Sequence, residues 1–350
     1  MRVSKSIFTS VFFCALATSA SAQWIKQEVN TTANFRGLAV VNEKIIWASG
    51  TGGTVIRTID SGQNWSVMTV PGAEKLDFRD IEAFDANTAY ILSIGNGENS
   101  RIYKTTDGGK SWNLQFSNPD EKAFFDAIAC WDRNHCIAVS DPVAGKFPVL
   151  TLTPLHLVGN VMNVEGVAWL GLPHLSSNPI ATKDEAAFAA SGTCLVTQGQ
   201  TNAFLVSGGA NARVFRSADR GLTWMAADTT FVRGIPGSGI FSIAMLDGKN
   251  GVIVGGNYEK PDEHDKNLAF TKDGGETWKL GTGLSGYRSG VAYVNRDTII
   301  AVGTNGTDLS RDGGKTWTKV GNENMNAVQA KGRRSIWAAG PNGLVMKFKS

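Results

Sequence analysis

Short segments of this chain alternate between apolar and polar residues with a period of two, the pattern of a strand with one buried face. Residues 54–57 and 65–68 show the alternation on either side of a polar turn at Asp60. In such a turn the Asp carboxylate can accept backbone amides two residues on, and Gly supplies the positive φ that tight hairpins need. The pattern therefore predicts hairpins of antiparallel strands.

The turn phrase occurs five times, as Ser or Thr, any residue, Asp, any residue, Gly, two further residues and Trp. Its Asp and Trp residues are Asp60 and Trp65, Asp107 and Trp112, Asp219 and Trp224, Asp273 and Trp278, and Asp312 and Trp317. A phrase that recurs roughly every 40–55 residues indicates an array of equal units. We interpret each Asp as a brace of its turn rather than a catalyst, and each Trp as an apolar cover for it.

These phrases resemble the Asp-box, or bacterial neuraminidase, repeat. The resemblance implies a β-propeller in which each box joins the two outer strands of a blade. The copies with Gly-Gly, and segments such as Phe78-Arg79-Asp80-Ile81, make the chain more similar to the photosystem II stability/assembly factor-like propellers than to true sialidases. The resemblance spans almost all of the chain after its first residues, and it bears on the fold far more than on the function.

Seven blades are expected when each unit is taken to run from an inner strand to the Trp of a box. They begin at Phe35, Phe78, Phe124, Ala186, Ile240, Tyr287 and Met325. The seventh ends one strand short, and residues 24–29 resemble the segments that follow the box tryptophans. We expect residues 24–29 to supply the missing outer strand, which would close the ring and remove an exposed edge. The predicted fold is an all-β, seven-bladed β-propeller that forms a single domain over residues 23–350.

The third unit departs from this pattern. Pro154 stands where a box should begin, and the Asp-Gly-Trp phrase is missing over residues 154–180. Two interpretations stay open, namely an inserted or degenerate hairpin and a segment translated from a shifted reading frame.

The first 22 residues have the layout of a cleavable signal peptide. Arg2 and Lys5 precede a mainly apolar run over residues 7–17, and Ala20-Ser-Ala22 offers a small-residue cleavage site. Cys14 is not preceded by a small residue, as a lipid-attachment site would require. We therefore expect cleavage after Ala22 and a periplasmic or secreted mature protein.

Net charge excludes some partners. Without Arg2 and Lys5 the basic residues fall from 34 to 32 against 31 acids, which leaves a formal charge of +1. A nearly neutral chain does not indicate a nucleic-acid or membrane-surface binder. No later apolar run approaches the ~18 residues of a transmembrane helix.

Three cysteines follow the leader. Cys130 and Cys136 flank a turn at residues 131–135, and in an oxidising compartment they could form a disulfide across it. The alternative is that both are small buried side chains. Cys194 has no obvious partner and is expected to pack in a strand.

Inner strands of a propeller face its central channel, so the first residues of those strands are candidates for binding. Arg36, Arg79 and Arg288 each follow an aromatic residue at such a start, and Asp126 and Asn326 hold the corresponding places in two other blades. A mainly cationic mouth would suit a carboxylate, a sugar acid or an acidic peptide. The alternative is that these arginines are simply solvated.

Loops that break the repeat add further binding candidates, since binding residues often lie on such loops. They are Asp141 and Lys146 in the third blade, Glu185 beside the first strand of the fourth, and Arg213 before the fourth box. A polar loop at residues 257–265 includes Asp262, Glu263, His264 and Asp265. Its single His favours a solvated loop over a metal site, and neither a metal nor a cofactor is expected.

The predicted function is recognition of a partner protein or of an acidic or carbohydrate ligand by an exported, monomeric, non-catalytic propeller. The alternative is a sialidase-like glycoside hydrolase, which would need a Tyr nucleophile with a partnering Glu and three substrate-binding arginines. Arg36, Arg79 and Arg288 could meet the last requirement. However, the sequence assigns none of the five tyrosines an obvious catalytic Glu partner, and Phe35-Arg36-Gly37-Leu38 departs from the Phe-Arg-Ile-Pro phrase of sialidases.

Overall fold

The computed structural model describes residues 23–154, 167–171 and 178–349. The predicted signal peptide and most of the divergent stretch at 154–180 lie outside these residues. The two interpretations of that stretch, an inserted hairpin and a shifted reading frame, therefore concern residues outside the described chain. Within the described chain, thirty strands form seven antiparallel sheets, and one short 3-10 helix spans Gly97–Asn99. The prediction of an all-β, seven-bladed propeller is confirmed.

The strands are numbered in chain order, and the first, β1 (Trp24–Lys26), belongs to the last blade. Blade 1 contains β2 (Phe35–Val40), β3 (Ile46–Gly50), β4 (Thr54–Thr58) and β5 (Ser66–Thr69). Blade 2 contains β6 (Phe78–Ala83), β7 (Ala89–Ser93), β8 (Arg101–Thr105) and β9 (Asn113–Ser117). Blade 3 contains β10 (Phe125–Asp132), β11 (His135–Ser140), β12 (Val149–Pro154) and β13 (Val167–Gly171).

The remaining blades follow the same order from the channel outwards. Blade 4 contains β15 (Leu195–Gln198), β16 (Asn202–Val206), β18 (Arg213–Ser217) and β19 (Met225–Asp228). The two-residue strands β14 (Glu185–Ala186) and β17 (Gly208–Gly209) extend the sheet of blade 5 at its inner edge. Blade 5 contains β20 (Ser238–Met245), β21 (Gly251–Asn257), β22 (Leu268–Thr271) and β23 (Lys279–Leu280). Blade 6 contains β24 (Gly290–Tyr293), β25 (Ile299–Gly303), β26 (Gly306–Ser310) and β27 (Thr318–Gly321). Blade 7 contains β28 (Ala327–Ala330), β29 (Ile336–Ala339) and β30 (Val345–Phe348).

The strand β1 is the outermost strand of blade 7, antiparallel to β30, with Trp24 opposite Phe348. The Trp24 ring is 4 % exposed and meets the Phe348 ring edge-on at 4.9 Å between centroids. Its indole nitrogen donates to the hydroxyl of Thr307 in blade 6, at 3.1 Å. The two ends of the described chain are thus joined through one sheet.

Each of the five turn phrases, called box turns below, connects the third and fourth strands of a blade. In the blade 2 turn, Asp107 accepts the Thr105 hydroxyl at 2.9 Å and both the amide and the hydroxyl of Ser111, at 2.9 and 2.6 Å. Gly109 has φ 84° and donates its amide to the Thr105 hydroxyl oxygen. Corresponding bonds recur in the other four turns, with the side-chain amide of Asn64 in place of the hydroxyl in blade 1, so each Asp lies at the outer rim as a brace of local backbone.

Blades 1, 2, 3 and 5 open with the same β-bulge. One residue of the inner strand is skipped in the pairing, and these skipped residues are Arg36, Arg79, Asp126 and Phe241. A bulge re-aims the side chain that it carries. The register of blades 6 and 7 puts Ser289 and Asn326 in the same place, because their amides donate to Val302 and Ala339 of the neighbouring strands. We call these six sites the bulge positions.

The inner strand of blade 4 differs from the prediction. Its inner strand was predicted to start at Ala186, but the strand that pairs with β16 is β15, Leu195–Gln198. Residues 187–193 resemble a strand in composition, yet they bond to several blades instead of to one neighbouring strand. We call residues 187–193 the mouth segment.

Blade 3 keeps its outer hairpin without a box turn in the described residues, since β12 and β13 pair directly. Trp169 of β13 packs edge-on against Tyr90 of blade 2, with 6.2 Å between the ring centroids. A disulfide joins Cys130 and Cys136, which lie opposite each other in β10 and β11. Cys194 is free and buried.

Candidate functional site

The inner strands converge on a pocket of about 340 Å³ at one mouth of the channel. Arg36 and Arg79 line one part of it, and the rings of Phe188, Phe241, Tyr258 and Tyr287 line another. Three of these six residues, Arg36, Arg79 and Phe241, sit at bulge positions of blades 1, 2 and 5, so the irregular start of the strands directs them into the pocket.

The mouth segment crosses this pocket and is bonded to the inner strands around it. The Nη1 atoms of Arg36 and Arg79 donate to the carbonyl oxygens of Ala190 and Ala189, at 3.0 and 3.3 Å. The Ser191 hydroxyl donates to the Ser289 carbonyl at 2.7 Å. These bonds reach blades 1, 2 and 6.

Two further contacts tie the mouth segment to blades 3 and 5. The Ala187 amide donates to Asp141 Oδ1 at 2.9 Å, and the hydroxyls of Thr193 and Ser242 lie 2.6 Å apart. Gly192 packs against the Asp80 carboxylate so closely that a Cβ there would fall 2.1 Å from Oδ1. Any larger residue at position 192 would therefore clash with Asp80.

The two arginines give the mouth an excess of positive charge. Burial and, after it, the charge of Arg79 lower the pKa of Arg36. Arg79 forms an ion pair with Asp77 at 2.8 Å, with both side chains about a quarter exposed. No ion pair is formed by Arg36 among the described residues. One guanidinium is thus balanced by Asp77, and the other keeps donors that can meet an incoming anion.

Three carboxyl groups lie beneath the mouth segment. Burial raises the pKa of Asp80 to about 7, although its oxygens accept the amides of Ile81 and Ile128, each at 2.8 Å. Burial raises the pKa of Asp141 to about 6. Burial, and next the charge of Asp141, raise the pKa of Asp126 well above its usual range. Asp126 is 1 % exposed, so the structure places it under the mouth rather than on its surface.

Arg288 is not part of the mouth, which corrects its predicted place. Its side chain is fully buried, with Nη2 2.6 Å from Asp308 Oδ2 and Nη1 donating to Asn305 Oδ1. The error is one of register. The Arg288 amide donates to Gly255 of the preceding blade just as the Phe35 amide donates to Gly340, so Arg288 corresponds to Phe35. Ser289, not Arg288, holds the place of Arg36.

Of the remaining predicted residues, Asn326 lines the mouth pocket, and its amide nitrogen donates to the Phe35 carbonyl at 2.8 Å. Glu185 and Arg213 form an ion pair, in which Arg213 Nε lies 3.0 Å from Oε1 and the Glu185 side chain is fully buried. That pair fixes the chain before the mouth segment. Lys146 is exposed and pairs through its backbone with Ile180, outside the mouth pocket.

Two of the depressions away from the mouth include candidate residues. Asp141 and Glu185 border one of about 510 Å³. The polar loop at residues 257–265 borders the other, of about 450 Å³, where Asp262 accepts the side-chain amide of Asn305 at 2.9 Å. Among the described residues no group of three or more His, Cys, Asp or Glu side chains could hold a metal ion. In the same residues no helix is long and apolar enough to cross a membrane.

Sequence reasoning missed the aromatic half of the pocket. Phe188 lies in the mouth segment, which resembles a strand, and Tyr258 lies in a loop that stood out only for its charges. Phe241 could have been found by aligning the bulge positions, since it corresponds to Arg36 and Arg79. The described lining of this pocket includes Tyr258 and Tyr287 but no Asp or Glu.

The fold and the mouth define a class, that of the seven-bladed β-propellers with box turns at the rim. Within that class, the family model "Photosynthesis system II assembly factor YCF48" matches residues 15–122. The resemblance to photosystem II assembly-factor propellers is thereby confirmed, over a part of the chain that includes blades 1 and 2. A search of curated proteins found no match.

Solved structures agree with the propeller fold over most of the chain. A structure of YCF48 bound to D1 peptide is 16% identical, covers 94% of this chain and 97% of its own, and has a TM-score of 0.65. YCF48 from Cyanidioschyzon merolae is 18% identical, covers 93% of this chain and 98% of its own, and has a TM-score of 0.63. A structure of U3-55K, at 11% identity, covers 94% of this chain and 99% of its own with a TM-score of 0.60. At these identities the likeness concerns the fold.

Proposed function

We propose that this chain is an exported, non-catalytic propeller that binds a partner protein at the channel mouth, through an acidic segment held by Arg36 and Arg79. The similarity to YCF48 propellers supports protein binding, since one of these similar structures contains a D1 peptide. The partner of the present chain is defined by chemistry rather than by name. It is a protein that presents a carboxylate on an extended segment.

The observation that carries the proposal is the pair of guanidinium groups in one pocket. Arg36 and Arg79 come from neighbouring blades, and both donate to the mouth segment through Nη1 only. Arg79 Nε donates to Asp77, whereas Nε and Nη2 of Arg36 donate no hydrogen bond within the described residues. Two half-buried guanidiniums with spare donors are suited to a planar carboxylate, because Arg binds such groups in a bidentate manner.

Export is the second part of the proposal. A basic start, an apolar run and a small-residue site precede Gln23 in the sequence. The disulfide between Cys130 and Cys136 supports an oxidising compartment, where such bonds persist. Mass spectrometry of the mature protein from its host tests this part. An N-terminus at Gln23 in the envelope fraction is expected, and an intact leader in the cytosol would contradict it.

Site-specific photo-crosslinking tests the binding mode. A photoreactive amino acid replaces Thr304, an exposed residue of the mouth pocket, and in a matched variant it replaces Lys110 in the blade 2 box turn. In the native host we expect a partner to be captured from position 304 and not from 110. Adding Arg36→Ala and Arg79→Ala should abolish the capture, whereas Arg333→Ala, an exposed arginine of blade 7, should not. Equal capture with and without the two mouth arginines would overturn the proposal.

A further inference from the structure

The arginines account for only one part of the mouth pocket. The other part is a cluster of four rings, which we call the aromatic shelf and define as Phe188, Phe241, Tyr258 and Tyr287. Phe241 is at its centre. The Phe188 ring stacks on Phe241 at 4.0 Å between centroids, with an interplanar angle of 5°, and the rings of Tyr287 and Tyr258 meet Phe241 edge-on at 4.8 and 6.2 Å.

The shelf is partly open to solvent. Phe241 and Tyr287 are 2 % and 3 % exposed and form its base, but Phe188 is half-buried and Tyr258 is 49 % exposed. A single exposed aromatic residue needs no explanation, whereas aromatic rings grouped in a concave pocket are typical of binding sites. The cluster therefore offers apolar surface to a ligand within the same pocket as the two guanidiniums.

The shelf is also held rigidly from both sides. Phe188 lies between Ala187, whose amide is bonded to Asp141, and Ala189, whose carbonyl accepts Arg79. Phe241 sits at a bulge position of blade 5. A pre-organised surface loses little entropy when a ligand binds, so it contributes more to affinity than a mobile one.

We propose that the aromatic shelf is a second subsite, which takes an apolar side chain adjacent to the carboxylate held by Arg36 and Arg79. The ligand class is then a peptide segment in which an acidic residue neighbours a Phe, Leu or similar residue. A volume of about 340 Å³ fits this class, because it is near the lower end of the ~300–1,000 Å³ of small-molecule sites. The inference rests on the proposed function, because it adds an apolar side chain to the acidic segment that Arg36 and Arg79 are proposed to bind.

Paired synthetic peptides test the inference. The probes are two acetylated, amidated pentapeptides, Gly-Ser-Glu-Phe-Gly and Gly-Ser-Glu-Ser-Gly, which differ in one side chain. Their dissociation constants are measured by calorimetry or by NMR titration. The full mature protein is used as wild type and as Tyr258→Ala, Phe188→Ala, Arg79→Ala and, as a matched control, Leu114→Ala on an outer strand where Leu114 is 50 % exposed.

On the wild type and on Leu114→Ala, the Phe peptide should bind about tenfold more tightly than the Ser peptide. On Tyr258→Ala and Phe188→Ala that ratio should fall towards one, and Tyr258→Phe should restore it. On Arg79→Ala both peptides should weaken together. Circular dichroism and thermal unfolding establish whether each variant is folded. If Phe188→Ala unfolds, Tyr258→Ala still tests the subsite, because the Tyr258 side chain is half-exposed.

The two possible failures are distinct. Equal affinity of the two peptides on the wild type, with both weakened by Arg79→Ala, would overturn the aromatic subsite and leave the arginine site standing. Binding that Arg79→Ala does not weaken would overturn the proposed function itself. A preference for the Phe peptide that survives both Tyr258→Ala and Phe188→Ala would place the apolar contact elsewhere and likewise overturn the inference.

Discussion

Carboxylates at the rim of the propeller and carboxylates under its mouth have opposite electrostatic environments. At the rim, hydrogen bonds from the turn lower the pKa of Asp107 to about 2, chiefly those of Ser111. Beneath the mouth, burial raises the pKa of Asp80 to about 7 and that of Asp141 to about 6. The rim stabilises the charged form with local donors, while the mouth buries the same group beside other acids.

The two regions differ in the range of the interactions that determine their conformation. A box turn is complete within about eight residues, so its stability is local and it can be repeated in five blades. The mouth is assembled from blades 1, 2, 3, 5, 6 and 7 and from the mouth segment, and its six bulge positions hold five different residue types. Repetition marks the part that builds the fold, and variation marks the part that can differ in function.

The largest expected effect comes from an arginine that belongs to neither region. Arg288→Ala leaves the buried Asp308 carboxylate without its ion pair, and removal of one partner from such a pair costs about 3–5 kcal/mol. Chemical denaturation should show this loss in the free energy of unfolding. Arg36→Ala, in a half-exposed mouth side chain, should cost much less. Equal losses of unfolding free energy in the two variants would contradict the distinction between a buried structural Arg288 and a mouth residue Arg36.

The next effect is the acid response of the rim. Asp60, Asp107, Asp273 and Asp312 each have a folded-state pKa of about 2, below the unfolded value near 4. Their stabilisation is therefore fully present above pH ~4 and is lost as the pH falls towards 2.

Thermal unfolding from pH 5 to pH 2 measures this response. We expect the Tm to fall steeply below pH ~4, and Asp107→Asn to make the fall shallower because one titrating group is removed. Glu121→Gln, a change at an exposed acid outside the box turns, is the matched control and should leave the slope unchanged. An unaltered slope in Asp107→Asn would contradict the role of its carboxylate as a brace.

The smallest effect is the opposite response of the mouth. A carboxyl group with a raised folded-state pKa binds its proton more tightly in the folded state, so stability declines as the pH rises from the unfolded pKa near 4 to the folded pKa. For Asp141 that window ends at about pH 6. Asp141→Asn keeps an oxygen for the Ala187 amide and should flatten the decline, by a Tm difference on the order of 2 °C. A decline of unchanged size in this variant would contradict the assignment to Asp141.

The sequence predicted the rim well and the mouth only in part, and the reason is physical. Asp107, Gly109 and Trp112 act on neighbours within a few residues, so their spacing alone indicates the turn. Arg36 and Arg79 were found because both follow a Phe that opens a strand. Arg288 was misplaced by one residue, since a single bulge decides which side chain faces the channel and bulges leave no mark in composition.

Other parts of the mouth could not be predicted, because they depend on contacts far apart in the chain. Phe188 meets Phe241 across more than fifty intervening positions, and Ala190 accepts a bond from Arg36 in another blade. The apolar run that contains Phe188 and Ala190 is compatible with a strand in isolation. Only tertiary bonds to five blades place it across the channel.

The central claim is that the channel mouth binds the ligand and that the box turns at the rim stabilise the fold. One paired measurement tests this claim most directly. The affinity for the Glu-Phe peptide and the Tm are determined side by side for the wild type, for Arg36→Ala/Arg79→Ala and for Asp107→Asn. The account predicts that the double arginine variant loses binding at nearly unchanged Tm, and that Asp107→Asn keeps binding at a lower Tm. Loss of binding in Asp107→Asn at a temperature where it remains folded, or retained binding in the double arginine variant, would contradict it.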